Sequence, residues 1–176
     1  MELRQLEARD RPAIEAFLQR IPEGDRTFFK EDVDDPEVRA AWFKPEALRF
    51  LALERDTVLG YVAVIPLQGW SSHVCELRVI VDPDHRGRGI GRALARRAVL
   101  EALELGLTKM VVEVVAEQEA TVAMFRALGF VPEALLRDHV RDQSGELRDL
   151  MVLAHSVEAW NAALEVAGIE DGLSAA

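Results

Sequence analysis

The chain has 176 residues, 49% of them apolar and 30% charged, which suits one folded domain with its own core. A formal net charge of −10 excludes a general polyanion binder, so no nucleic-acid partner is expected, and an acidic surface draws cationic ligands in. The longest apolar run, Val58 to Leu67, is broken by Gly60 and Pro66 and is too short for a membrane span; with one cysteine, Cys75, and no apolar leader after Met1, the expectation is a cytoplasmic protein.

In chain order, Glu2 to Glu7 reads as an opening strand. Asp10 is placed as an N-cap with Pro12 in the first turn, and Ile14, Phe17, Leu18 and Ile21 follow at helical spacing. Gly24 to Asp34 reads as a loop, and Asp35-Pro36 opens a short helix bearing Val38, Ala41 and Trp42. Arg49 to Arg55 and Val58 to Leu67 form a hairpin around Asp56-Thr57, and Val74 to Val81 is a third strand closed by Asp82-Pro83. A glycine-rich turn leads into a long helix, about Gly89 to Leu105, with Gly106 after its end.

Lys109 to Val115 is β-branched and reads as a buried strand. Thr121, Met124, Phe125 and Leu128 mark a helix ended by Gly129. Strands around Leu135 to Arg141 and Leu147 to Leu153 follow, then a short helix near Val157 to Val166. The order is β-α-α-β-β-β-α-β-α-β-β: a mixed α/β sheet in a single domain over residues 1–166, with 167–176 a frayed tail.

The chemistry concentrates between Val79 and Arg92. A strand, Val79-Ile80-Val81, runs through Asp82-Pro83 into Arg86-Gly87-Arg88-Gly89-Ile90-Gly91-Arg92, which opens a helix. The first N–H groups of a helix lack partners and carry partial positive charge, so they bind phosphate. Glycines let that backbone approach an anion, and Arg86, Arg88 and Arg92 add formal charge; the inference is a pyrophosphate site. A P-loop is excluded because no lysine and hydroxyl follow the glycines, and the dinucleotide fingerprint fails in both registers.

What matches is Arg86-x-x-Gly89-x-Gly91, which resembles the [QR]-x-x-G-x-[GA] pyrophosphate motif of the GNAT N-acetyltransferase superfamily. The resemblance extends to the aliphatic triplet before Pro83, to Leu128-Gly129-Phe130 at a helix end, and to Gly145 with Asp149 and Met151 in a C-terminal hairpin. It covers residues 1–155.

The resemblance implies acetyl-CoA as co-substrate, no metal, and a small-molecule amine or peptide amine as acceptor, with a homodimer open and no membrane partner. It implies that Val79, Ile80 and Val81 lie on a bulged strand that splays from its neighbour. There the Val79 and Val81 backbone would hold pantetheine and aim an N–H at the thioester oxygen, stabilising the oxyanion of the reaction. Arg86, Gly87, Arg88, Gly89, Ile90, Gly91 and Arg92 would hold the pyrophosphate, with Gln118 and Phe125 also at the cofactor.

An amine of pKa about 10.4 is neutral in roughly one molecule in ~2,500 at pH 7, so a general base is worth having. Glu76 is the candidate, although Glu76 and Arg78 share a strand face and can simply pair. The tyrosine that relatives use as acid is replaced by Phe125; Cys75, His73 or water are the substitutes. Phe28, Phe29, Trp42, Trp70, His73 and His139 are candidates for the acceptor pocket or for core and interface, and His155 reads as a surface residue. Three other readings stay open: an acyl-CoA-binding sensor without turnover, an acyltransferase with another donor or an alcohol acceptor, and an unrelated nucleotide-binding protein.

Overall fold

In a computed structural model, residues 1–26, 29–44 and 48–157 are described. The element order is β1 (Glu2–Gln5), α1 (Arg11–Arg20), α2 (Glu23–Arg26), α3 (Pro36–Ala41), β2 (Leu48–Glu54), β3 (Thr57–Pro66), β4 (Val74–Val81), α4 (Ile90–Glu104), β5 (Lys109–Val115), α5 (Glu119–Ala127), β6 (Val131–Arg141) and β7 (Leu147–Ser156). The mixed α/β fold is as expected. Among the described residues the one added α-helix is α2, a single turn inside the segment read as a loop. All but Val157 of the expected final helix, and the whole tail, lie outside the described residues.

The strands form one seven-stranded sheet in the order β1-β2-β3-β4-β5-β7-β6. Every pairing is antiparallel except β4 with β5, whose parallel strands are joined through α4. Alternation along the strands divides the core between the two faces. Leu59, Val62, Val64, Cys75 and Leu77 pack under α4 and α5, with Leu94, Ala98, Val122 and Phe125. Leu51, Tyr61 and Ala63 pack on the other face with Ile14, Phe17 and Trp42.

Asp10 departs from its expected part. Its side chain makes no cap bond to α1. Instead it accepts hydrogen bonds from both terminal guanidinium nitrogens of Arg4, at 2.7 and 2.6 Å, and from the Glu7 N–H at 2.8 Å. That arrangement ties the end of β1 to the start of α1. Asp35 caps α3 as expected, accepting the Glu37 N–H at 2.8 Å.

Candidate functional site

The cleft begins where two neighbouring strands part. β4 and β5 pair only from Val74↔Lys109 to Leu77↔Val112. Beyond that, β5 stays with β7 as far as Val115↔Leu150, while β4 stays with β3 as far as Gly60↔Val81. A cavity of about 930 Å³ occupies the gap. It lies at the carboxyl ends of the two parallel strands, where open α/β sheets place their ligand sites.

The β3–β4 ladder decides which backbone groups face the gap. The Leu67 N–H donates to Val74 O, and the Asp82 N–H donates to Leu59 O, each at 2.9 Å. Groups alternate along an antiparallel ladder, so the even residues of β4 face β3 and the odd ones face away. Val79 and Val81 therefore turn N–H and C=O into the gap, beyond the last residue that β5 pairs; Ile80 turns its backbone to β3. The expected bulge in β4 is absent: its register with β3 is unbroken from Gly60↔Val81 to Pro66↔Cys75. The strands separate because β5 follows β7.

The same end of β4 leads into the glycine turn. Buried Asp82 accepts the Arg20 Nε–H at 2.9 Å and the Asp84 N–H at 3.1 Å. Burial works against its charge, but these donors outweigh burial and hold its carboxyl below the usual range. Gly87 and Gly89 have φ of +75° and +80°, a backbone that L side chains rarely adopt. Gly89 is the N-cap of α4 and offers no side-chain cap, which leaves the first N–H groups of the helix for another acceptor.

Arg86, Gly87, Gly89, Ile90, Gly91 and Arg92 line the cavity, as do Gln118 and Phe125. Arg88 does not: its half-exposed guanidinium turns towards Glu54, 3.4 Å away. Arg86 bonds Asp25 of α2 at 2.6 Å, across the mouth of the cleft. Phe125 is a core residue as well as a wall, edge-on to Phe130 at 5.1 Å.

At the far end, side chains replace backbone. Glu76 and Arg78 do pair, at 2.8 Å, and Glu76 also accepts the Lys30 ammonium at 3.0 Å. Lys30 reaches Glu113 of β5 at 2.8 Å. Arg78 also donates to Glu31, which accepts Arg49 at 2.8 Å and the Trp42 indole at 2.6 Å. Burial raises the Glu76 pKa, yet Arg78 and Lys30 outweigh it and hold the carboxyl below its ordinary range. Burial depresses the Lys30 pKa, but Glu113 and Glu76 outweigh it and keep the ammonium charged.

Lys30, Glu31, Tyr61 and Glu113 escaped the sequence reading, although all line the cavity. Glu113 left one signal, a lone charge inside the apolar run 110–115. Of the expected aromatics, Phe29 lines the cleft, packed against Tyr61. Trp42 is core, while Trp70, His73 and His139 are exposed away from the cavity; Phe28 lies outside the described residues. Cys75 is buried under α4, with its thiol pushed up to about 12, so it is no proton donor to the cleft. His155 is buried against Phe130, 5.1 Å between ring centres, and is not a surface residue.

A family model described as the acetyltransferase (GNAT) family matches residues 11–130. An L-amino acid N-acyltransferase of Escherichia coli (strain K12) is 32% identical over 106 residues, covering 57% of this chain and 62% of that protein. A mycothiol acetyltransferase of Paenarthrobacter aurescens is 34% identical over 102 residues, covering 55% of this chain and 32% of that one. The chain thus matches less than two thirds of the length of either relative. An N-acetyltransferase structure from Staphylococcus aureus Mu50 superposes with a TM-score of 0.76 at 21% identity, covering 89% of this chain and 98% of the other. A Salmonella typhimurium structure with its cofactor acetyl-CoA gives 0.75 at 22%, covering 89% and 94%. At such identities these structures speak for the fold alone.

Proposed function

Since the chain belongs to the GNAT family of acetyltransferases, we propose that it moves an acetyl group from acetyl-CoA to a primary amine, with both molecules held in the cleft at once. The observation that carries this reading is the open edge of β4, whose Val79 and Val81 backbone groups face a cavity that ends on the uncapped start of α4.

The residues present suit acetyl-CoA. An extended amide-bearing arm matches an unpaired strand edge, because each supplies the N–H and C=O groups that the other lacks. A pyrophosphate suits the N–H groups from Gly87 to Arg92 with the Arg86 and Arg92 guanidinium groups nearby. Arg88 adds charge at the rim, Ile80 fixes the strand through β3, and Gln118 and Phe125 form the opposite wall. When bound, acetyl-CoA supplies an activated acetyl thioester. The Val79 or Val81 N–H, turned away from β3, would be the group to stabilise the negative charge that develops on the thioester oxygen.

Glu76 receives the acceptor. Its two ion pairs keep it ionised at neutral pH, the state that attracts an ammonium, and weaken it as a base. A domain spanning 1–166 and a small-molecule or peptide amine as acceptor belong to the same proposal.

The test is release of CoA thiol on mixing the protein with acetyl-CoA and a panel of primary amines. Amine-dependent release is expected. Acetyl-CoA binding with no release for any amine overturns transfer in favour of the sensor reading, which draws on Phe125 standing buried where relatives carry a tyrosine.

A further inference from the structure

The acceptor end of the cleft already holds an ammonium, and it belongs to the protein. Lys30, on the segment between α2 and α3, extends its Nζ to Glu76 Oε2 on β4 at 3.0 Å and to Glu113 Oε2 on β5 at 2.8 Å. It thus bridges two strands just where their pairing ends at Leu77↔Val112. We propose that Lys30 is a resident stand-in for the acceptor, so that the acceptor is a primary alkylammonium that enters by displacing the Lys30 side chain from Glu76 and Glu113. This rests on the transferase reading above for its function, and on the cleft alone for its geometry.

Charge sets the class of ligand. Among the described residues, the groups joined at this end are Glu31, Glu76 and Glu113 against Lys30, Arg49 and Arg78, three anions and three cations. With Lys30 withdrawn the set carries one uncompensated negative charge, and an incoming ammonium restores the balance. A carboxylate-bearing ligand has no such vacancy, because both Arg78 and Arg49 are already held by glutamates.

Exposure decides which cation can leave. Arg78 and Arg49 side chains are 21% and 9% exposed, whereas Lys30 is 45% exposed, so it is the one that can swing into water. Phe29 and Tyr61 line the same end and offer apolar walls to an alkyl stem. The Tyr61 hydroxyl stays neutral there, its pKa driven up by burial.

A resident competitor weakens apparent affinity by the fraction of time the site is closed. A half-exposed ammonium on two carboxylates is a contact of the strength that makes this factor about fivefold.

The experiment titrates n-butylammonium chloride into the full chain, without acetyl-CoA, by ligand-observed NMR, with n-butanol as the uncharged control. Lys30→Met and Lys30→Ala are compared with wild type after thermal melts confirm folding, so that either variant alone suffices. The expected result is about fivefold tighter n-butylammonium binding in either variant, wild-type affinity in Lys30→Arg, no gain for n-butanol, and loss of the gain when Glu113→Gln is added. Equal or weaker binding in the folded Lys30→Met and Lys30→Ala variants overturns the proposal. Acetyl-CoA is titrated separately: its failure to bind counts against the transferase reading alone, since the ammonium titration does not use it.

Discussion

The two ends of the cleft are built from different materials. Near the glycine turn the cavity is faced by main-chain groups, the odd-numbered edge of β4 and the N–H groups at the start of α4, beside the Arg86 and Arg92 side chains. At the other end the groups are side chains from four separate stretches, Lys30 and Glu31, Arg49, Glu76 with Arg78, and Glu113. Under the proposed transfer, the backbone end suits what every donor molecule shares, an amide arm and a pyrophosphate. A side-chain site can be changed one residue at a time, so it is the end to which the proposal assigns acceptor choice.

The contrast is broken most severely at the backbone end. Arg86→Ala with Gly89→Glu places a carboxylate where the helix start favours an anion and forces a side chain onto φ +80°. Acetyl-CoA affinity, read by calorimetry, is expected to fall at least about 100-fold. Next comes Glu76→Gln, which lowers kcat/KM for the amine by on the order of 10² while leaving the acetyl-CoA Kd unchanged. Steady-state kinetics with calorimetry separate the two; a loss of acetyl-CoA affinity erases the division between the ends.

Asp10→Ala is the control outside the cleft. It frees Arg4 and the Glu7 N–H and is expected to cost about 2 kcal/mol of stability in denaturant unfolding, with both ligand affinities unmoved. Glu31→Gln sharpens the contrast: the amine KM rises about fivefold through Arg78, and acetyl-CoA binding stays constant.

The smallest effect is one of pH. Burial holds His155 below its ordinary 6.5, so as pH falls the unfolded chain takes up the proton first. This contribution is full above about 6.5 and is lost below it. The melting temperature is expected to drop between pH 7.5 and 5.5, and by less in His155→Gln.

The same division explains what the sequence disclosed. The glycine turn, the triplet Val79-Ile80-Val81 and the helix after them are contiguous, so spacing exposed them. Strand alternation along β4 placed Glu76 and Arg78 on one face, and they do pair. Lys30 and Glu113 stand 83 positions apart in numbering, and nothing local marks them as neighbours; only the parting of β4 from β5 brings them together. The bulge expected in β4 was likewise a matter of tertiary course, since the gap comes from β5 following β7. Asp10 carried a cap signature, but Arg4 from the neighbouring strand offered its carboxylate the stronger, bidentate partner.

The most direct test of the open edge is amide hydrogen exchange at single residues of β4, with and without saturating acetyl-CoA. In the free protein the Val79 and Val81 amides are expected to exchange fast, while Arg78 and Ile80, bonded to β3, exchange slowly. Acetyl-CoA is expected to protect Val79 and Val81 and to leave their even-numbered neighbours as they were. Saturation with acetyl-CoA that leaves Val79 and Val81 unprotected contradicts the account.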